Sequence, residues 1–589
     1  MNFILYKQRQ QELYKQQQQE RGQEQQQQQR ILQSIIPLNI FQTWHSVDLP
    51  PNMKKNQELL KAQNPEFAYH LYSDTMCREF IQTNFEDDVA YSFDKLKPGA
   101  YKADLWRYCV LYIHGGIYLD IKYKCVDNFK LLYLTDQEYW VRDRKMLVNG
   151  IYQALMVNLP KNPVLLKAIN GIVKNCKNNV YTRATSLCVT GPGHLAQFIA
   201  ENDIKSSQLE FTGVSIVKGN RPILTCYAEY RQEQQQSQLT EYYYTMWGQK
   251  NIYSYPTLPS ISKTDISRQI TKNINGLDIH LFSGTPTIIQ GADPCKKEYL
   301  INIRWINYNY NSDGSKKIIP AQWVSLNSRF KVDGSFNPIS EEQFLEGNFI
   351  EPSTLYPLGL EDIRVIRHKD KHYFIGTYFD IVRKLPSVCS GRYDIDISSS
   401  LYTLNGDIIL PRMYDLNTNR IWEKNWAFVE YHDELCIVYK WFPLQIGTID
   451  YTKKTMDIME KRDEMPDYFR DVRGSTCGVQ KEDELWFVVH KAQHYNNDNN
   501  NNNNIYYNYQ HFFAVFDLDM NLTRYSELFK FGDCKVEFCT GLIIEEREIV
   551  LSYSLLDTQS VVARYDIASV KANLKWYLNL SSSQSMSIS

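Results

Sequence analysis

The run Ala103 to His114 is apolar with helical spacing, stops at Gly115-Gly116, and passes at once into a second apolar run, Ile117 to Ile121. Glycines placed just after a helical pattern end it, because glycine enters left-handed backbone without a steric penalty. A helix delivered straight into a short strand is half of a βαβ unit, and repeated units of this kind build a largely parallel α/β sheet. The same alternation surrounds it. Ile36 to Trp44 reads as a strand, Met53 to Asn64 as a helix ended by Asn64-Pro65, Phe67 to Tyr72 as a strand, and Thr75 to Thr83 as a helix capped by Asp74. Residues 36–255 are therefore expected to form one α/β domain.

A chain of 589 residues exceeds a single core, and from about residue 290 strand-like runs replace the helical ones. Four stretches share a plan, a polar signature followed by an aromatic-rich strand. They are Glu361-Asp-Ile-Arg364 before His372 to Tyr378, Glu423-Lys-Asn-Trp426 before Leu435 to Tyr439, Arg473-Gly-Ser-Thr476 before Leu485 to Val489, and Glu537-Phe-Cys-Thr-Gly541 before Ile549 to Tyr553. The signatures start 62, 50 and 64 residues apart, which suits β-propeller blades of about 40–50 residues with insertions. Residues 298–345 supply a fifth blade. An irregular β-sandwich is the alternative. The expected organisation is a disordered Gln-rich segment over 1–35, the α/β domain over 36–255, a linker over 256–290, an all-β five-bladed propeller over 291–575 and a flexible tail over 576–589. The Asn run at 496–504 and Arg231 to Gln238 (RQEQQQSQ) read as low-complexity insertions.

Net charge is −2, so electrostatics point to neither a nucleic acid nor an anionic membrane. No apolar stretch reaches a membrane span, and the only apolar run near the start, Phe3 to Tyr6, is too short for a signal-peptide core. The twelve cysteines lack the spacing of a zinc site, and free thiols are expected. These features together imply a cytoplasmic location.

The chemistry concentrates in Lys102 to Asp120, KADLWRYCVLYIHGGIYLD. Asp120 falls where its strand should end, at the edge where open α/β sheets bind ligands. Asp104 and Arg107 are three apart and share one helix face. That face can offer a carboxylate to a sugar hydroxyl and a guanidinium to a phosphate. The same pair also reads as a plain helical ion pair.

Ile36-Pro37, Gln42-Thr-Trp44, Asn64-Pro65, Ala103-Asp104, Arg107-Tyr108 and Gly115-Gly-Ile-Tyr-Leu-Asp120 together resemble the DXD-containing sugar-binding glycosyltransferases (glycosyltransferase family 32). That group includes initiating α-1,6-mannosyltransferases and α-1,4-galactosyltransferases. The resemblance implies a GT-A fold, a GDP- or UDP-hexose donor, Mn²⁺, retention of anomeric configuration, a glycan or glycoprotein acceptor, and the Golgi lumen as the alternative compartment. By carry-over, Asp104 and Arg107 bind the donor sugar and Asp120 the sugar or ribose; Asp120 is also the candidate catalytic carboxylate and, were a metal held, its ligand. Trp44 and Tyr118 belong to the donor-binding motifs. The chain departs from the family at Asp120-Ile121-Lys122, where a second aspartate is usual. A charged lysine cannot ligate a cation, but it can neutralise a diphosphate directly. The domain is then either metal-independent or inactive. Thr190-Gly-Pro-Gly193 and Tyr244-Thr-Met-Trp247 fall where the family places further contacts; a tight turn and a core aromatic are the plain alternative.

In a propeller the innermost strands converge, which gathers Glu361, Asp362, Arg364, Lys424, Asn425, Arg473 and Glu537 into one funnel. Carboxylates beside cations suit a sugar plus an anion. This half resembles the five-bladed β-mannoside phosphorylases (glycoside hydrolase family 130), whose Glu-Asp-Pro-Arg motif matches Glu361-Asp362-Ile363-Arg364 except at Ile363. The resemblance implies Asp362 as a general acid. A glycosidase or phosphorylase, a carbohydrate-binding or acceptor-positioning module, and a purely structural set all remain open. The combined expectation is a hexosyltransferase, with mannose as the hexose, joined to a propeller that binds or processes carbohydrate.

Overall fold

Gly115 and Gly116 have φ of 63° and 112°, and a Cβ on either would lie 2.6 Å from Pro160 Cδ or 2.8 Å from Asn39 O. The turn from helix to strand therefore requires glycine twice over. The computed structural model describes residues 34–144, 150–181, 185–237, 239–274, 276–291, 296–318, 323–347, 359–380, 383–394, 403–404, 406–411, 423–496 and 505–579. The chain divides into two units, Met1–Ser254 and Tyr255–Ser589. The Gln-rich segment up to residue 33, the Asn run from residue 497 and the last ten residues of the expected tail lie outside the described residues.

The first unit runs β1 (Asn39–Thr43), α1 (Pro51–Gln63), β2 (Ala68–Tyr72), α2 (Asp74–Asn84), α3 (Asp87–Lys95), α4 (Gly99–His114), β3 (Gly116–Leu119), β4 (Tyr123–Cys125), β5 (Val141–Arg142), β6 (Leu155–Asn158), α5 (Pro163–Lys177), β7 (Leu209–Phe211), β8 (Ser215–Lys218) and β9 (Arg221–Cys226). One sheet has the order β2-β1-β3-β6, with β2, β1 and β3 parallel and β6 antiparallel. A second sheet has the order β4-β9-β8-β7-β5. Ile40, Ile117, Leu119, Leu155 and Val157 of the first share a core with Leu209, Ile216 and Leu224 of the second. The helix α4 is buried on every side from Asp104 through Leu111, which explains why its apolar residues show no single stripe.

Two details differ from the sequence expectation. The cap of α2 is Ser73, whose hydroxyl accepts from the Met76 amide at 3.3 Å, rather than Asp74. Of the expected insertion Arg231 to Gln238, the residues up to Ser237 are no loop, because Tyr230–Ser237 is a helix; Gln238 lies outside the described residues. Its Glu233 carboxylate accepts from the amides of Asn52 at 2.8 Å and Met53 at 3.0 Å. Pro50, the residue before α1, offers no side-chain acceptor, so a distant residue completes that helix end.

The second unit is built mainly of antiparallel strands, with parallel pairings between Gln343–Gly347 and Thr403–Leu404 and between Gly406–Pro411 and Thr455–Arg462. Leu277–Gln290, Tyr299–Ile306 and Ser325–Val332 lie in a six-stranded sheet. Glu361–His368 and Ala427–Tyr431 are the two edges of an eight-stranded sheet, Glu484–Asn496 and Ile505–Asp517 pair along their length, and Glu537–Ile544, Glu548–Leu555 and Gln559–Asp566 form a meander. The expected linker over 256–290 is instead structural. Ser262–Asp265 completes the last meander by pairing with Gln559–Asp566, and Gln269–Ile274 pairs with Leu277–Gln290. Trp576–Leu578, expected in the tail, pairs with Leu522–Ser526. Short polar runs beside apolar strands hide edge strands, whose outer faces are solvated. No helix among the described residues is long and apolar enough to cross a membrane.

Candidate functional site

Because β1, β2 and β3 are parallel, their carboxyl ends share one edge of the sheet. Asp120 follows β3 there, held by its amide to Ala154 O at 2.8 Å. Arg107 reaches it from α4 and joins two carboxylates, with Nη2 at 3.3 Å from Asp104 Oδ1 and 3.6 Å from Asp120 Oδ1. Its Nη1 donates to Gln153 O at 2.9 Å, and its guanidinium lies 4.4 Å from the centre of the Tyr118 ring. Tyr118 OH donates to Asp120 Oδ1 at 2.9 Å, and Lys122 Nζ lies 2.7 Å from Asp120 Oδ2. Thr190 Oγ1 donates to Asp104 Oδ2 at 2.7 Å. The Asp104–Arg107 pair is thus part of a four-charge group rather than an isolated helical pair.

Electrostatics set the two carboxyls apart. Burial raises Asp104 to about 6, against the pull of Arg107 and Thr190. Burial also acts on Asp120, but Lys122 and Arg107 outweigh it and hold that carboxyl below its usual range. Arg107 and Lys122 resist the loss of charge that burial favours, because the carboxylates and tyrosines around them hold their pKa values up. The arrangement offers fixed charge of both signs at the carboxyl edge of the parallel strands, the form of electrostatic stabilisation that needs no reorganisation.

A divalent cation does not fit this donor set. Arg107 stands between Asp104 and Asp120, and Lys122 covers the remaining oxygen of Asp120. Among the described residues no group of three or more His, Cys, Asp or Glu side chains is placed to hold a metal ion.

Trp44 follows β1 at the same edge and packs with Met53, Ile121, Tyr227 and Tyr230, its indole N–H buried without a hydrogen-bond partner. Of Thr190-Gly-Pro-Gly193, Thr190 holds Asp104, a role that distance in sequence concealed. Tyr244 is exposed, while Trp247 has a buried, unpartnered indole N–H.

In the second unit the signature residues are only partly together. Arg304, which sequence reasoning missed, is buried and bridges Glu361 at 3.2 Å and Asp362 at 3.0 Å. It also donates to Ser325 and Tyr308. Lys424 lies 3.6 Å from the other Glu361 oxygen. Burial is outweighed at Glu361 by Arg304 and Lys424, which lower its pKa. Arg364 donates to Asn425 Oδ1 at 3.0 Å and to the Ser475 carbonyl. A second missed residue, Asp557, is raised to about 6 by burial and by the neighbouring Asp362 and Glu361 charges, against Arg304. Asp362, Asn425 and Asp557 all have left-handed backbone, with φ of 51°, 61° and 56°, and the ladder slips between Glu361 and Arg364. Such strain and bulges gather where side chains are being aimed. A lone arginine inside the apolar strand Tyr299–Ile306 was the available signal for Arg304.

One expected member stands elsewhere. Glu537 is fully buried and accepts from the Phe531 and Gly532 amides at 2.8 and 3.1 Å. Its neighbour Phe538 faces Arg364, with the guanidinium 5.5 Å from the ring centre, and strand alternation turns Glu537 to the opposite side. Arg473 is exposed, pairs in the ladder with His490, and precedes Gly474 and Ser475, whose carbonyls accept from Arg364.

The family model described as glycosyltransferase sugar-binding region containing DXD motif matches residues 50–140. Inositol phosphoceramide mannosyltransferase 2 of Schizosaccharomyces pombe is 32% identical over 161 residues, 27% of this chain and 45% of that protein. Initiation-specific alpha-1,6-mannosyltransferase of Candida albicans is 32% identical over 91 residues, 14% of this chain and 24% of that protein. Beta-1,2-mannobiose phosphorylase from Listeria innocua superposes with a TM-score of 0.32 at 12% identity, over 50% of this chain and 92% of that one. The chain spans less than half the length of the curated relatives it matches. Residues 50–140, which include Asp104, Arg107, Asp120 and Lys122, thus match a glycosyltransferase sugar-binding region.

Proposed function

We propose that the first unit is a hexosyltransferase that moves mannose from a GDP- or UDP-linked donor to a glycan or an inositol phosphoceramide-type acceptor. The observation that carries this reading is the joining of Asp104, Arg107 and Asp120 into one buried group at the carboxyl edge of the parallel sheet. The relatives named above support the choice of mannose and of acceptor. Asp104 accepts hydrogen bonds from donor hydroxyls, and Arg107 orients the sugar against the phosphates. With retention, the acceptor oxygen bonds to C1 as the bond from C1 to the β-phosphate oxygen breaks. The electron pair goes to that phosphate oxygen, which also takes the acceptor proton.

The second unit is read as a five-bladed propeller that binds carbohydrate at the Arg304–Glu361–Asp362 group. In support of the propeller, well-separated stretches of the unit (Ile288 to Gln290, Val365 to Arg367, Glu430, Cys477 to Gln480 and Thr540 to Ile544, with His372 and Leu485) converge on one cavity of about 330 Å³. In support of binding, Arg304, Glu361, Asp362 and Lys424 gather charge of both signs at a separate place in the same unit.

The test is a transfer assay with the whole chain, a panel of GDP- and UDP-hexoses, and oligomannoside and inositol phosphoceramide acceptors. Mass spectrometry is expected to find a hexosylated product from one donor, with the donor's anomeric configuration by NMR. Inverted product would remove the retaining step, and no product from any donor would remove the transferase.

A further inference from the structure

The donor of such a reaction brings two phosphate charges, and the chain meets them with cations of its own. Both oxygens of Asp120 are engaged, Oδ1 by Tyr118 at 2.9 Å and Arg107 at 3.6 Å, and Oδ2 by Lys122 at 2.7 Å. Both oxygens of Asp104 are engaged as well, by Arg107 at 3.3 Å and Thr190 at 2.7 Å. A metal ion entering here would have to expel an ammonium or a guanidinium and would then sit beside the one it did not expel.

Charge counting leads the same way. Asp104 and Asp120 carry two negative charges, Arg107 and Lys122 two positive ones, and the group is neutral. With aspartate at position 122 the group would carry a net charge of −2, which is what one divalent cation cancels. Lysine at this position thus supplies within the chain the charge that a metal would otherwise bring. The ammonium is also fixed in place. It lies 5.4 and 5.5 Å from the ring centres of Tyr123 and Tyr152, whose hydroxyls bond to each other at 2.8 Å. The Lys122 side chain keeps 18% of its surface exposed, so it is open to a ligand on one side. A compact ammonium acts on phosphate as a point charge.

We propose that the first unit binds the diphosphate of its donor directly on Lys122, assisted by Arg107, without a divalent metal. This rests on the transferase reading. When the bond from the sugar to the phosphate breaks, the pair of electrons left on the β-phosphate oxygen is stabilised by these two cations.

Calorimetric titration of the whole chain with GDP and with UDP tests this, in chelator and in Mn²⁺, for the wild type, Lys122→Met and Lys122→Asp. One nucleotide is expected to bind the wild type in chelator, with affinity changed less than about twofold by Mn²⁺ and weakened about tenfold or more in K122M. K122D is expected to bind the nucleotide only with Mn²⁺ and, by water-proton relaxation, to bind Mn²⁺ that the wild type does not. If K122M fails to fold by circular dichroism, the wild type in chelator and K122D still decide. Wild-type binding that requires Mn²⁺ would overturn the inference and leave the transferase reading standing; no binding of either nucleotide under any condition would overturn both.

Discussion

The Lys122 ammonium lies 2.7 Å from the carboxylate of Asp120, two residues before it in the chain. The backbone keeps the two together, because the Tyr123 amide donates to Asp120 O at 3.1 Å, closing a turn around Ile121 and Lys122. The Ala154 carbonyl, which accepts from the Asp120 amide at 2.8 Å, and the Tyr227 amide, which donates to the Lys122 carbonyl at 3.1 Å, anchor the two residues that the ion pair joins.

Asp104 and Asp120 should separate in their response to acid. Asp104 is raised by burial to about 6 from 3.8, so between those values the fold holds a proton that the unfolded chain does not. Its contribution to stability is present at low pH and is lost as pH rises through about 6. Donor binding runs the other way, since a protonated Asp104 accepts fewer hydroxyls. Affinity for the nucleotide sugar is expected to fall as pH drops through about 6 in the wild type and to stay flat there in Asp104→Asn. Equal pH profiles for the two proteins would count against Asp104 as a sugar ligand.

Glu233 is expected to act as the cap of α1. Replacing it with Ala leaves the Asn52 and Met53 amides without their acceptor, a change that costs about 1–2 kcal/mol at a helix start. Hydrogen exchange over residues 51–56 should quicken, while α5 stays as protected as in the wild type. Unchanged exchange in E233A would show that the Gln-rich helix merely rests on the unit.

Much of this site was legible and some was not, for physical reasons. Asp104, Arg107 and Asp120 announce themselves because helix spacing and strand ends are local properties. Thr190 and the Gln153 carbonyl do not, since they reach the group from 86 and 46 residues away along the chain. Glu233 was hidden by its glutamine-rich surroundings, which look solvated until a helix is seen to dock. In the second unit the polar signatures marked strand starts well, but not side-chain direction. One residue's difference in register sends Phe538 toward Arg364 and Glu537 away from it.

Arg304 should be a keystone of the second unit. Arg304→Met leaves Glu361 and Asp362 facing each other without their shared cation, and breaking such a pair on one side costs about 3–5 kcal/mol. Hydrogen exchange in Tyr299–Ile306 and Glu361–His368 is expected to rise sharply, with α4 of the first unit unaffected. Protection retained at both strands would count against Arg304 as the keystone and leave Lys424 as the cation that matters to Glu361.

Glu537 should affect stability and not carbohydrate binding. Burial raises its carboxyl to about 8 from 4.5, so its contribution to stability is full below about 4.5 and is lost as pH rises through about 8. Glu537→Gln keeps an acceptor for the Phe531 and Gly532 amides and cannot ionise. Its thermal unfolding is expected to be flatter than the wild type's between pH 5 and 9, roughly the window those two values bound, with glycan binding unchanged. Glycan binding lost in a folded E537Q would return this residue to the site.

The central claim, that the group around Asp120 turns over a nucleotide sugar, is tested most directly by nucleotide release. The whole chain is incubated with each GDP- and UDP-hexose beside Asp120→Asn, and free GDP or UDP is measured over time. The account predicts release from one donor, reduced at least about a hundredfold in D120N, the scale on which removal of a charge-stabilising group is felt. No release from any donor, or release undiminished in a folded D120N, would contradict it.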